Sequence, residues 1–464
     1  MNKRITSMEA DPFIQESFIH IFRLVKNANG YALFVGGCVR DSILGLTPKD
    51  FDIEVYGLPA QQVIDILSRE FPLDLVGEAF GVIRLKGLPI DIALPRRESK
   101  RGLGHKGFAI HSDPFMTIEE ASRRRDFTIN AMAWDPEDQE LLDPFGGLSD
   151  LEQKVLRHVT ERFKEDPLRV LRGQQLAGRY SLTGAPETLE VSHDVLSEYH
   201  TLPIERIWGE WYKWASQSVL PSAGLTFLLQ TDWIQMYPEL KILIDCPQDP
   251  QFHPEGDVWT HTLLVADEAA VIAERDGLAQ DERAILVLAA LCHDLGKPKT
   301  TETIDGRIRS RGHCDTVEIF QAFLSRIGAP SEFVERVIIL CRYHLTHIDF
   351  KDSLRHVRRL SVALAAAGET LEMLGRLVEA DHSGRPPLPK EMPANMKAML
   401  DVARTLNIQS QRLEPFLLGR HLLELGFSPG PKMGDILQLV FERQLNGEIH
   451  SLEEAKEWVS KNCL

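Results

Sequence analysis

The chain lacks any run of about 18 apolar residues, the length a helix needs to cross a bilayer, and Met1 to Asp11 lack the basic-then-apolar pattern of a secretory signal. These absences predict a cytoplasmic address and no membrane partner. Cysteine is sparse: Cys38, Cys246, Cys292, Cys314, Cys341 and Cys463 include no C-x-x-C pair, so neither a disulfide framework nor a structural zinc site is indicated. Positive charge is also short, with 52 Lys and Arg against 68 Asp and Glu. The formal net charge of −16 argues against a protein that coats nucleic acid by bulk electrostatics. No internal repeat is found.

What is present is ordinary globular composition, 43% hydrophobic and 26% charged, over 464 residues, enough for several cores. One basic strip stands out: Arg96, Arg97, Lys100, Arg101, Lys106, Arg123, Arg124 and Arg125, against Glu98, Asp113, Glu119 and Glu120. It reads either as a grip on one RNA or as a solvated loop and helix face. Residues 12–30 have helical spacing through Phe13, Phe18, Ile21, Phe22 and Val25. From 31 to about 95 come short β-like runs, YALFV, FDIEVY, LDLV, GVIRL and PIDIAL, with one helical stretch near 60–70, which predicts a small α/β sheet. After Gly147 strand signals largely stop, and breaks at 184–186, 246–250 and 385–389 punctuate helical patterns. ERIWGEWYKWAS, with Trp208, Trp211, Tyr212 and Trp214, reads as an amphipathic core helix more than as a base-stacking platform.

The strand YALFV runs into Gly36-Gly37 and a helix carrying Arg40. Glycines at such a turn let backbone amides approach a phosphate, and an arginine adds positive potential. Asp50 and Asp52 follow on the next strand, two apart and therefore on one face. Like charges that close call for a cation, and all-oxygen ligation suits Mg²⁺ in a two-metal arrangement of about 4 Å spacing.

With these residues in place, GGCVRDSILGLTPKDFDIEVYG resembles the first motif of class II tRNA nucleotidyltransferases, the CCA-adding enzymes and their bacterial poly(A) polymerase relatives. RRESKRGLGHKGF at 96–108 resembles the family's flexible loop, RRRDFTINAMAWD its second motif, DPFGG its third and EDPLRVLR its fourth. The resemblance implies that Asp50 and Asp52 hold Mg²⁺ with help from Asp91, and that Gly36, Gly37 and Arg40 meet the nucleotide's phosphates. It places Arg125 and Asp126 at phosphate and ribose with Asn130 nearby, Asp166 and Arg169 at the base edge, and Arg172 among the nucleotide-binding residues. A carboxylate accepting from an exocyclic amine and a guanidinium donating to a ring nitrogen or carbonyl favour cytosine and adenine. Asp166 is at the same time a natural cap for a helix beginning at Pro167. The chain departs from the family at Gln175, where relatives commonly carry a second arginine, and this bears on nucleotide preference.

Further on, His261, His293-Asp294 in LCHDLGK and Asp381 resemble the ligand set of HD-domain phosphohydrolases, which hold a divalent transition metal or Mg²⁺. Such domains in this family imply 2′,3′-cyclic phosphodiesterase, 2′-nucleotidase or phosphatase activity. His313, His344 and His347, taken singly, read as packing or surface residues.

The expected fold class is α+β: a nucleotidyltransferase-type mixed α/β head at 1–150, then an all-α nucleotide-recognition neck at 151–180, an RNA-binding helical body at 181–247, an HD phosphohydrolase-like domain at 248–390 and a helical tail at 391–464. The expected partners are tRNA, CTP and ATP, and the expected reaction is addition of CCA. Three alternatives stay open: A-only addition to tRNA or other RNA, an HD phosphohydrolase with a vestigial head, and a non-catalytic RNA-binding protein.

Overall fold

A computed structural model describes residues 8–77, 82–100 and 108–463. The chain divides into two compact units, one made of the residues up to Glu210 plus Ala223–Met236, the other of Trp211–Ser222 plus the residues from Tyr237 onward.

In the first unit Asp11 accepts from the Phe13 amide at 3.0 Å and Pro12 takes the first helical position, so helix α1 (Pro12–Asn27) starts there. Its apolar stripe is buried on the sheet, where the Phe18 ring meets Phe34 and Phe51 edge-on at 4.9 and 4.8 Å. Burial of each such ring contributes about 1.5–3 kcal/mol. The chain continues through β1 (Tyr31–Val35), α2 (Gly37–Ile43), β2 (Phe51–Tyr56), α3 (Ala60–Leu67), β3 (Leu73–Gly77), β4 (Val82–Leu85) and β5 (Ile90–Ala93). Then follow β6 (Arg96–Lys100), β7 (Phe108–Ser112), α4 (Ile118–Ser122), β8 (Ala133–Asp135), β9 (Glu140–Leu142), α5 (Gly147–Glu152) and α6 (Leu168–Tyr180).

Seven strands form one sheet in the order β3-β4-β5-β2-β1-β8-β9. Only β2 and β5 run parallel, which their separation in sequence permits because α3, β3 and β4 make the crossover. The register sets Val35 opposite Asp52 and Asp52 opposite Asp91. The segment expected as a flexible loop begins as a strand: β6 and β7 pair antiparallel from Arg96↔Ser112 to Lys100↔Phe108, and 101–107, with Arg101 and Lys106, lies outside the described residues.

The second unit is largely helical. Helices Val258–Arg275, Gln280–Cys292, Ser331–Tyr343 and Leu371–Ser383 pack together through faces such as Val265, Leu288, Leu340 and Leu377, all with no exposed surface. One hairpin, Thr301–Ile304 with Arg307–Ser310, departs from the all-α expectation. Its cause is in the sequence: alternation in TETIDGRIRS around Asp305-Gly306, both with positive φ, is hairpin chemistry. The final helices close their own core on Leu422, Ile436, Val440 and Val459. Trp211 and Trp214 are fully buried, so the aromatic helix they lie on serves packing. The six cysteines are free. Among the described residues no helix is long and apolar enough to cross a membrane.

Candidate active site and candidate metal centre

The end of β1, the diglycine bend and β2 make one corner of the head. Gly36 has φ +77, and a Cβ there would sit 3.0 Å from Arg125 Nη1 and 3.5 Å from Asp52 Oδ2, so a side chain at the bend would crowd both the acid and the cation, which glycine avoids. Asp52 and Asp91, register partners on neighbouring strands, point to the same face. Asp50 is exposed one residue before β2. Crowding by protein pushes the Asp52 carboxyl above its ordinary range, the nearby Asp91 and Asp50 add to this, and Arg125 and Arg172 oppose it. This corner favours a cation. Asp91 is gripped by Arg84 through two contacts of 3.1 and 3.3 Å.

Beneath this corner lies a second row of paired groups. Glu54, two residues beyond Asp52, is buried and takes Arg124 at 3.0 Å, Arg125 at 3.4 Å and the Tyr56 hydroxyl at 2.9 Å. Burial pushes its carboxyl up, but Arg125 and Arg124 win and hold it below the usual range. Asp126 receives the Phe127 amide (2.7 Å), Asn130 Nδ2 (3.0 Å) and Arg172 Nε (3.0 Å). The expected phosphate contact Arg40 is 5% exposed and spends its donors on Asp41, Asn130 and the Tyr180 hydroxyl. Tyr180, the last residue of α6, also donates to Asp41 at 2.7 Å and lies under Arg40 at 4.4 Å, which ties α6 to α2. At the other end of α6, Asp166 Oδ1 caps Leu168 N at 3.2 Å while Oδ2 meets Arg206 at 2.8 Å. Arg169 is held by the carbonyls of Arg162 (2.7 Å) and Arg124 (2.6 Å). Gln175 is buried in α6 with its Oε1 unbonded.

The DPFGG motif is a brace. Asp143 accepts from Gly147 N (2.7 Å) and Leu148 N (2.9 Å), and a Cβ at Gly147 would lie 2.2 Å from the Thr128 carbonyl oxygen. Backbone must move to admit it. Gly147→Ala therefore lowers stability by about 1–3 kcal/mol or more, measured as a shift in urea midpoint; an unchanged midpoint would refute this packing.

In the second unit His261, His293, Asp294 and Asp381 converge, as expected from the sequence pattern. His261 Nε2 lies 3.3 Å from His293 Nε2, 3.3 Å from Asp381 Oδ1 and 3.6 Å from Asp294 Oδ2; His293 Nε2 is 3.1 Å from Asp294 Oδ2. Ligands of one ion with bonds near 2.1 Å stand about 3.0–3.4 Å apart. His293 Nδ1 donates to Ala290 O at 2.8 Å, which leaves its Nε2 as a lone pair aimed at His261. His261 Nδ1 sits 2.8 Å from Glu255 Oε1, and against burial the Asp381 and Glu255 carboxylates push the His261 imidazole above its ordinary range, so the surroundings favour positive charge at this point. Burial holds His293 below the ordinary histidine range, keeping it neutral. Asp294 and Asp381 are held well below the carboxylate range, against burial, by the imidazoles and, for Asp294, Lys297 at 2.6 Å. The motif glycine is steric: a Cβ at Gly296 would lie 2.4 Å from the His313 carbonyl.

Glu255 was not singled out in the sequence. Burial raises its carboxyl, but His253 and His261 bring it down to about 2. Its pairing is present above the ordinary value of 4.5 and is lost only as pH falls towards 2. Glu255→Gln should weaken divalent-metal affinity of this centre by about 10–100-fold, as loss of an orienting carboxylate does, read by chelator competition; unaltered affinity would remove Glu255 from this role.

A diglycine bend with an acid pair on a mixed sheet, joined in one chain to a histidine-aspartate cluster in a helical bundle, defines a nucleotidyltransferase carrying an HD unit. The family model described as poly A polymerase head domain matches residues 32–157 and that of the HD domain residues 258–381. The chain is 38% identical over 319 residues to the multifunctional CCA protein of Hahella chejuensis, covering 68% of this chain and 72% of that one. It is 33% identical over 391 residues to that of Vibrio vulnificus, covering 81% and 91%. The chain belongs to the family of multifunctional CCA proteins. Its fold is similar to the Bacillus stearothermophilus CCA-adding enzyme in complex with CTP, with TM-score 0.65, 22% identity and coverage of 97% and 98%. It is also similar to the Thermotoga maritima CCA-adding enzyme complexed with tRNA, with TM-score 0.58, 20% identity and coverage of 99% and 98%.

Proposed function

We propose that this chain adds C, C and A to the 3′ end of tRNA from CTP and ATP, in the cytoplasm, and that its HD unit hydrolyses phosphate esters. The observation that carries the reading is Asp52, in register with Asp91 and beside the Gly36 bend, where Arg125 also reaches. The five-part division at 150, 180, 247 and 390 is retained as a functional one.

In the head, Asp50 and Asp52, with Asp91, would hold Mg²⁺, which supplies charge neutralisation on the triphosphate and acidifies the attacking hydroxyl. Gly36 and Gly37 leave room for phosphate oxygens, and Arg125 and Arg172 add positive charge there. Glu54 and Asp126 hold those two guanidiniums in place, and Arg40 with Asn130 fixes α2 beneath the bend. The 3′ oxygen bonds to the α-phosphorus of the nucleotide while the bond to pyrophosphate breaks. Asp166 and Arg169, at the start of α6, read the base edge: the carboxylate accepts the amine that C and A share, and the guanidinium donates. In the HD unit, His261, His293, Asp294 and Asp381 would hold a divalent transition metal or Mg²⁺, and Lys297 would meet the substrate phosphate.

The rival is A-only addition, which the loop at 96–108 and this acid pair would also serve. Two transcripts separate them. A tRNA ending before CCA and given CTP alone gains two C, and one ending in CC and given ATP alone gains one A. An A-adding enzyme leaves the first transcript unextended.

A further inference from the structure

We propose that Arg206 is a positioning residue that sets nucleotide specificity: by fixing the carboxylate of Asp166 it makes the pocket accept the amino bases C and A and refuse the keto bases U and G. The inference rests on the reading of Asp166 as the group that meets the base edge.

Asp166 stands just ahead of α6 with both oxygens engaged. Its Oδ1 accepts from the Leu168 amide at 3.2 Å, and its Oδ2 accepts from Arg206 Nη2 at 2.8 Å. The first contact ties the carboxylate to its own helix. The second comes from helix Ile204–Gln217, 40 residues further along the chain, and the two together fix the plane of the carboxylate as well as its place. An oxygen so held accepts from the exocyclic amine of C or A. It repels the carbonyl oxygen that U and G carry at the corresponding ring position. A loose carboxylate turns aside and loses both effects.

Three features set Arg206 apart from an arginine that only stabilises its own helix. It lies in the first turn of Ile204–Gln217, where the helix dipole disfavours a cation. Its Nη1 is buried without a hydrogen bond among the described residues, a cost that an ordinary surface ion pair does not carry. Glu210, four residues on and therefore on the same face, is 6% exposed. The charge of Asp126, and after it those of Glu210 and Asp166, holds the Arg172 guanidinium above its ordinary range. The stretch ERIWGEWYKWAS thus has a packing face, with Ile207 buried, and a polar face that bears on Asp166 and Arg172.

The test measures addition to a tRNA transcript ending before CCA, with CTP and with UTP separately. It uses the full chain, Arg206→Ala, Arg206→Lys, Asp166→Ala and Asp166→Ala/Arg206→Ala, with thermal unfolding to report that each is folded. Arg206→Ala should lower the CTP-to-UTP ratio of kcat/KM by about tenfold or more. The loss with CTP should fall on KM more than on kcat, because Asp50, Asp52 and Asp91 are untouched. Arg206→Lys, which keeps a cation without its planar fork, should recover part of the ratio. In the Asp166→Ala background the change at Arg206 should add nothing. A parental ratio in Arg206→Ala beside a lowered ratio in Asp166→Ala overturns the positioning role and leaves the reading of Asp166 standing. A parental ratio in both overturns that reading and this proposal with it. A further fall in the double variant overturns action through Asp166. If Arg206→Ala does not fold, Arg206→Gln takes its place under the same criteria.

Discussion

Asp52→Ala is expected to lower nucleotide incorporation into tRNA by on the order of 10³-fold or more, about 4 kcal/mol of transition-state stabilisation, without loss of stability. Both halves follow from one feature. Asp52 carries a carboxyl pushed above its ordinary range by its surroundings and by Asp91 and Asp50, so without a cation its charge is unfavourable to the fold. Removing it leaves Glu54, Arg124 and Arg125 paired beneath, so thermal unfolding should be unchanged or slightly later. The loss should fall on kcat more than on KM, because the acid acts on the reacting phosphate. Incorporation within tenfold of the parent enzyme would refute the assignment.

The second large effect concerns Asp294→Asn. Asp294 touches His261, His293, His313 and Lys297, so its loss removes a ligand and leaves an unbalanced lysine. Hydrolysis of a 2′,3′-cyclic nucleotide should fall by about 10³-fold, and tight metal binding should fall with it. CTP incorporation, carried out by residues of the other unit, reports that the variant is folded. Hydrolysis that persists at the parent rate would mean that this cluster does not perform it.

What the sequence disclosed follows the range of the interactions. Period-two alternation made β1, β2 and β5 legible, and it is a local property. The same alternation held a further signal, since Asp52 and Glu54 share a face of β2 and Asp50, just before the strand, falls in the same period. Glu54 is the member that organises Arg124 and Arg125, yet its partners lie about 70 residues away and only pairing of the folded chain reveals them. Arg40 was legible as a conspicuous cation but not as a buried one, because Asp41, Asn130 and Tyr180 that enclose it come from three separated segments. His261, His293, Asp294 and Asp381 were readable through a known pattern. His313 follows no spacing rule with Asp294, and the approach of its Nε2 to Asp294 Oδ1 exists only in three dimensions. The hairpin at 301–310 is the reverse case, a local Asp-Gly signal present in the sequence and outweighed there by the helical texture around it.

The central claim is that the acids of β2 assemble the reacting nucleotide for untemplated addition. Its most direct measurement is the 3′-terminal sequence of a tRNA transcript lacking its last three nucleotides, after incubation with magnesium, CTP and ATP. The intact enzyme should leave C, C and A and then stop, and Asp50→Asn/Asp52→Asn should leave the transcript as supplied. An unextended transcript with the intact enzyme, or a CCA end made by the double variant, would contradict the account.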